Sequence, residues 1–367
     1  MTLNKDTTFG IEIEQFGCTR PDALKAIREA LTTHGYTLTD EHGTPIRGAQ
    51  GHLHYYNVSF VSDEHPDRRT FIVKSDQSID GGEYDFLPGD RRAKRGGIDP
   101  TVDACWEIAC PPMHFDEIPL AQTVLRNLNF YGARVNNSCG LHGHIGVDKM
   151  TPRQLVNLCR LAYKYDPLLI AAFQIDEERL NGIYVQPVKR SFVDGVNRYW
   201  SENAELLESR YLRSIDPAAT MSAMMFQDVA NLQRERYRTI NFGALAMHGT
   251  VEFRLFDGTM HAGRLKTAIH TVYGMYSRAC RVKNVRNGRI MVLPNRAKHD
   301  MNIFGIHAGF AGPEFKTTRK FLKANLGGQY NGRRLERIAW GITAPTADAM
   351  TPHTRQCLTV VQEAESI

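Results

Sequence analysis

The chain has 367 residues, with 45 Lys+Arg against 40 Asp+Glu for a net charge of +5, and 42% of it is hydrophobic; this suits one large domain or two ordinary ones with a substantial core. Its 30 Gly and 16 Pro are spread along the chain, and with a near-average apolar share this excludes a disordered, fibrous or collagen-like protein. No run approaches the roughly 20 apolar residues that cross a bilayer and the first residues have no apolar h-region, so a cytoplasmic protein without a membrane partner is expected.

No internal repeat, low-complexity tract or Ser/Pro-rich linker divides the chain, so a single domain over 1–340 with a tail over 341–367 is expected. Phe9 to Phe16 alternates apolar and polar residues and reads as a strand. Pro21, then Leu24, Ile27 and Leu31, then Gly35 mark the start, apolar face and stop of a helix. Strand-like pieces follow around Tyr55–Val58 and Thr70–Lys74, and the polar stretch 81–104 reads as a loop insertion. Cys105 to Cys110 reads as a strand stopped by Pro111-Pro112, and Ile118, Val124, Leu125 and Leu128 predict a helix. Gly140 to Val147 predicts another strand. Thr151-Pro152-Arg153-Gln154 has capping-box spacing ahead of a long helical run, and helices are expected to dominate up to Arg236. Strands return at Thr239–Phe242 and Gly249–Phe256, and Leu265, Ile269, Val272 and Met275 mark one more long helix. Residues 258–340 hold 16 Lys/Arg and 3 Asp/Glu, leaving 29 against 37 elsewhere. Without strict β-α-β alternation the class is α+β. The 7 cysteines are odd in number and form no C-x-x-C pair, so reduced thiols are expected.

Four short segments carry polar groups on otherwise apolar strands. In Phe9–Glu14 a period of two puts Gly10, Glu12 and Glu14 on one face and Phe9, Ile11 and Ile13 on the other. Like charges at such spacing repel by on the order of 1–4 kcal/mol, so this pair is either solvated on an exposed edge or neutralised by a cation. Glu107 lies in the nearly apolar Cys105–Cys110 strand, and a buried Glu must be ion-paired or metal-bound. His142 and His144 share a face of the next strand, a spacing that lets two imidazoles converge on one ion; His52 and His54, in a polar Tyr-rich stretch, read as structural or surface residues. Thr250, Glu252 and Arg254 line one face of the last strand, suiting either a cross-strand salt bridge or a site for a metal beside an anionic oxygen. A curved antiparallel sheet with helices on its back would gather these faces into one concave site. Its carboxylates with an adjacent Arg favour Mg2+ or Mn2+ held with phosphate over zinc. Neither a Walker A sequence nor a G-x-G-x-x-G before a helix is present, so any nucleotide would be held by metals and Arg.

In this order the segments resemble the amidoligase family, a branch of the carboxylate-amine ligases that includes glutamine synthetase and glutamate-cysteine ligase. The resemblance rests on Phe9–Glu14, Lys74–Ile79, Glu107–Pro112, Cys139–His144, Arg236-Tyr237 with Asn241, and Thr250–Arg254. It implies a glutamine synthetase-like curved antiparallel sheet with flanking helices, ATP bound through Mg2+, and an amide formed from a carboxylate and an amine through an acyl phosphate. It further implies Glu12, Glu14, Glu107, His142 and Glu252 as metal ligands, with His144 and Asn241 near the nucleotide or a metal. Arg254 and Arg236 would stabilise the transferring phosphoryl group, Arg190 is the candidate for a further central arginine, and Asp76 and Ser78 would shape the substrate site. Gly143 departs from the β-branched residue usual between the two His.

Two other classes compete. His142-x-His144 also suits a metal-dependent hydrolase, although no Glu follows it as a cupin requires. The basic segment, with Arg281, Lys283, Arg286, Arg289, Lys316, Arg319, Lys320, Lys323, Arg333 and Arg334, suggests an anionic substrate or carrier, or nucleic acid.

Overall fold

The computed structural model describes residues 3–47, 54–64, 66–76, 78–79, 105–211 and 236–326. The expected loop 81–104, the tail, His52, Arg333 and Arg334 lie outside them. Among the described residues nine strands form one sheet: β1 (Phe9–Phe16), β2 (Thr37–Leu38), β3 (Thr44–Arg47), β4 (His54–Val61), β5 (Arg69–Ser75), β6 (Cys105–Ala109), β7 (Gly140–Gly146), β8 (Ile240–Asn241) and β9 (Thr250–Asp257). The order is β2-β4-β5-β6-β1-β7-β9-β8, with β3 beside β2 on the same edge of β4, and the paired strands are antiparallel. The first strand of the chain is therefore the middle of the sheet. The flanking helices are α1 (Arg20–Thr33), α2 (Ile118–Phe130), α3 (Pro152–Phe173), α4 (Glu177–Asn181), α5 (Arg190–Tyr211), α6 (Ala244–His248), α7 (Ala262–Arg281), α8 (Ala297–Ala308) and α9 (Lys316–Ala324). The class is α+β, as the sequence predicts.

Local chemistry accounts for the boundaries. Thr19 caps α1 by accepting from the Asp22 N–H, and the Thr151/Gln154 capping box opens α3; each such cap is worth about 1 kcal/mol. β6 stops at Ala109, ahead of two prolines that have no N–H to offer the ladder. The apolar faces merge into one core with Phe9, Ile11 and Ile13 of β1 at its centre. Tyr273 on α7 meets Phe9 edge-on at 5.9 Å and donates its hydroxyl to the Thr7 carbonyl at 2.7 Å. Gly143 belongs to this packing. A Cβ there would lie 3.1 Å from Val272 Cγ2 on α7 and 3.7 Å from the Phe256 ring, so the glycine lets the helix approach the sheet.

The sheet has one irregularity that matters. Between β7 and β9, Leu141 pairs with Phe256 but Gly143 pairs with Phe253, so β9 carries one extra residue opposite His142. Such a bulge switches the alternation of the strand beyond it. Phe256 turns into the core and Asp257 takes the polar face opposite Gly140. Plain alternation from Thr250 puts these two residues the other way round.

Among the described residues no helix is long and apolar enough to cross a membrane. No disulfide joins the six described cysteines.

Candidate active site

The candidate residues form a band across six strands because the register aligns their polar faces. Glu12 pairs with His142 on β7, and Glu14 pairs with Glu107 on β6. Lys74 on β5 extends the band on one side through Glu107. On the other side His144 faces Glu252 on β9, and Glu252 faces Asn241 on β8. Residues that are more than 200 positions apart in sequence thus become neighbours.

His142 is the hub. Its Nδ1 lies 3.1 Å from Glu12 and 3.6 Å from Glu252, and its Nε2 lies 3.5 Å from Glu14. His144 Nδ1 bonds Thr250 Oγ1 at 3.0 Å, while its Nε2 points to Glu12 at 3.5 Å. Glu252 accepts from Asn241 Nδ2 and Arg254 Nη1, both at 2.6 Å. Lys74 Nζ sits 2.7 Å from Glu107, and Asp76 accepts from both the N–H and the hydroxyl of Ser78. Two trios bring ligand atoms close enough to share an ion: Glu12, His144 and Glu252, and beside them Glu14, Asp76 and Glu107.

The charge balance is uneven. Six Asp/Glu and four Lys/Arg line the cavity, whose volume is about 1060 Å3. Burial pushes the Glu107 carboxyl up to about 8, with Glu12 adding to the shift and Lys74 offsetting part of it. Burial also works against an ionised Glu12, but hydrogen bonds and charge from His142 and His144 prevail and hold it well below the usual carboxylate range. Glu252 is likewise lowered, its burial outweighed by Arg254 and the two imidazoles. Neighbouring carboxylates in one band are therefore driven in opposite directions, Glu107 by burial and Glu12 and Glu252 by the imidazoles and Arg254 around them.

Of the residues expected from sequence, Glu12, Glu14, Asp76, Ser78, Glu107, His142, His144, Arg236, Asn241, Glu252 and Arg254 all line this cavity. Arg190 does not. It sits at the start of α5 with its side chain 79% exposed and paired to Asp194 one turn on. Among the described residues, the central-region arginine that reaches the cavity is Arg179 of α4, only 8% exposed, which donates to the Cys139 carbonyl and faces Asp257 at 3.5 Å. Asp257 is available there because of the β9 bulge. Arg179 carries no periodic signal in the sequence, whereas Lys74 does, as the charged residue that alternates with buried Phe71 and Val73 just before Asp76.

The basic segment is partly spent on the fold itself. Arg281 binds the carbonyls of Ser277 and His307, Arg289 binds Asp166, and Arg319 binds the carbonyls of Phe310 and Gly312.

Sheet and cavity together define an α+β protein whose polar strand faces gather carboxylates, imidazoles and guanidiniums in one cavity. The family described as "putative amidoligase enzyme" matches residues 5–275, and the chain belongs to that family. No curated protein matches it.

Proposed function

We propose that the protein is an ATP-dependent carboxylate-amine ligase. The observation that carries the reading is the pair of adjacent trios, five carboxylates and one imidazole, that share one cavity with Arg254 and Arg236, a donor set for divalent cations and phosphate together. One trio also contains a buried nitrogen without a hydrogen-bond partner among the described residues, His144 Nε2, whose nearest carboxylate oxygen lies 3.5 Å away on Glu12, while Glu107 Oε1 in the other is ion-paired to Lys74 Nζ at 2.7 Å. A buried nitrogen of this kind is costly unless it serves a ligand, and together with the carboxylates beside it the set fits Mg2+ or Mn2+. Glu12, His144 and Glu252 would hold one ion, Glu14, Asp76 and Glu107 another, with His142 between them. Divalent cations would supply neutralisation of the triphosphate charge.

In the proposed reaction a substrate carboxylate oxygen attacks the γ-phosphorus of ATP, and ADP leaves. An amine nitrogen then attacks the acyl carbon of the resulting acyl phosphate; the C–O bond breaks, phosphate departs and the nitrogen loses a proton. The protein's contribution is positioning and electrostatics. Arg254 is suited to the transferring phosphoryl group because its Nη1 is anchored on Glu252 while its buried Nε has no hydrogen-bond partner among the described residues. Asn241 holds the second oxygen of Glu252 and so fixes that carboxylate. Removing one preorganised donor of this kind slows a reaction by roughly 100- to 1000-fold.

The test is mass spectrometry of reactions containing ATP, Mg2+ and a library of carboxylates and amines. The expected result is an amide product with stoichiometric ADP and phosphate, dependent on both substrates. An amide cleaved without ATP would support a metal-dependent hydrolase instead.

A further inference from the structure

Two aromatic rings, one exposed and one half-buried, line the cavity side by side. Tyr184 and Tyr237 both line the cavity, with centroids 5.4 Å apart and planes at 82°. Tyr184 is 49% exposed, and its neighbour Ile183 is 63% exposed. A tyrosine ring exposed beside a polar cavity offers an apolar face that a planar ligand can cover. The support beneath is rigid. The Gln186 N–H donates to the Tyr237 carbonyl at 2.9 Å, the Gln186 carbonyl accepts from the Thr239 N–H at 2.7 Å, and the Thr239 carbonyl accepts from the Arg254 N–H at 2.8 Å. Two chain segments are thereby clamped together and tied to β9, so the rings are presented without a further ordering cost.

Their order along the cavity identifies the occupant. Next to the Tyr237 ring, at 5.6 Å, is the guanidinium of Arg236. Further in comes Arg254, bonded to Glu252, which belongs to the inner metal-capable trio. Aromatic face, then guanidinium, then carboxylate cage is the order of base, phosphates and bound cation in a nucleoside triphosphate. Among the described residues, the opposite end of the cavity, with Lys74, Asp76 and Ser78, has no comparable ring. We infer that Tyr184 and Tyr237 form the shelf on which the nucleobase of ATP stacks, and that the acceptor substrates enter from the Lys74 side. This rests on the ligase reading, because it takes the triphosphate to lie over the two trios.

Stacking of a base on an aromatic side chain is worth roughly a five- to hundredfold gain in affinity. The test compares ATP with inorganic tripolyphosphate by calorimetry in Mg2+, a readout independent of turnover. The wild type is expected to bind ATP at least about tenfold more tightly. Tyr237→Ser and Tyr184→Ser are each expected to lose most of that margin while binding tripolyphosphate unchanged; unaltered tripolyphosphate binding also reports an intact site. Equal binding of both probes by the wild type, or a margin that survives both substitutions, overturns the shelf alone. Failure of the wild type to bind either probe overturns the ligase reading and the shelf with it.

Discussion

Gly140 offers the smallest perturbation that reaches the centre of the site. It opens β7 where its N–H donates to Glu14, and a Cβ built on it would lie 2.7 Å from His142 Nε2, 2.9 Å from Arg179 Nη2 and 3.2 Å from Glu14 Oε2. Ordinary contact needs roughly 3.4 Å or more, so in Gly140→Ala the imidazole and the guanidinium must each retreat by about 0.5 Å or more. Metal ligands tolerate departures of only about 0.2 Å. Displacing groups that orient ligands costs roughly 10- to 100-fold in metal affinity, or about 1.4–2.7 kcal/mol. The fold should lose little, because Gly140 is not among the positive-φ glycines, and alanine at a compatible backbone recovers roughly 0.4–1 kcal/mol through the unfolded chain. The assay is Mn2+ titration of wild type and Gly140→Ala, with urea unfolding in a chelator as the control. Wild-type Mn2+ affinity in a folded Gly140→Ala protein would refute the argument that these three side chains form a fixed support for the ions.

Arg190→Ala is expected to leave turnover unchanged and stability within about 0.5 kcal/mol, since its ion pair is exposed. Arg179→Ala, which removes a buried guanidinium beside Glu14 and Asp257, should lower kcat/KM by at least about tenfold; steady-state kinetics on both variants decide between the two arginines. Asn241→Ala strips one donor from the buried Glu252 carboxylate and should cost about 1–3 kcal/mol in urea unfolding. His270, buried under Phe115 and bonded to Thr318, is pushed down to about 3 by burial and then by Lys266 and Lys5, against an ordinary value of 6.5. The native state therefore binds fewer protons than the unfolded chain between those values. Its contribution is complete above pH 6.5 and is lost as pH falls towards 3. Between pH 7.5 and 5 this amounts to about 2 kcal/mol; the urea-derived stability of His270→Gln should fall by about that much less over the same range.

Much of the site was legible because a strand's period of two is a local property. Phe9–Phe16, Gly140–Gly146 and the first half of β9 each separate apolar from polar residues, and eleven of the twelve residues selected on that pattern and on the family motifs line one cavity. Arg190 failed for a physical reason: a helical arginine has no alternation to fix its direction, and α4, which delivers Arg179, is only 5 residues long. The bulge was invisible for a related reason, since an extra residue on β9 exists only relative to its partner β7.

By itself the sequence determined which faces of the strands are apolar, where caps and prolines end the elements, and which chemistry the polar faces offer, because these follow from short-range sterics and burial. Tertiary structure alone decided that β1 lies between β6 and β7, that five carboxylates and His144 divide into two trios, and that Asp257 and Arg179 meet across Gly140. Those are outcomes of strand order and register, and hydrogen bonding between distant segments sets them only when the whole sheet closes over its core.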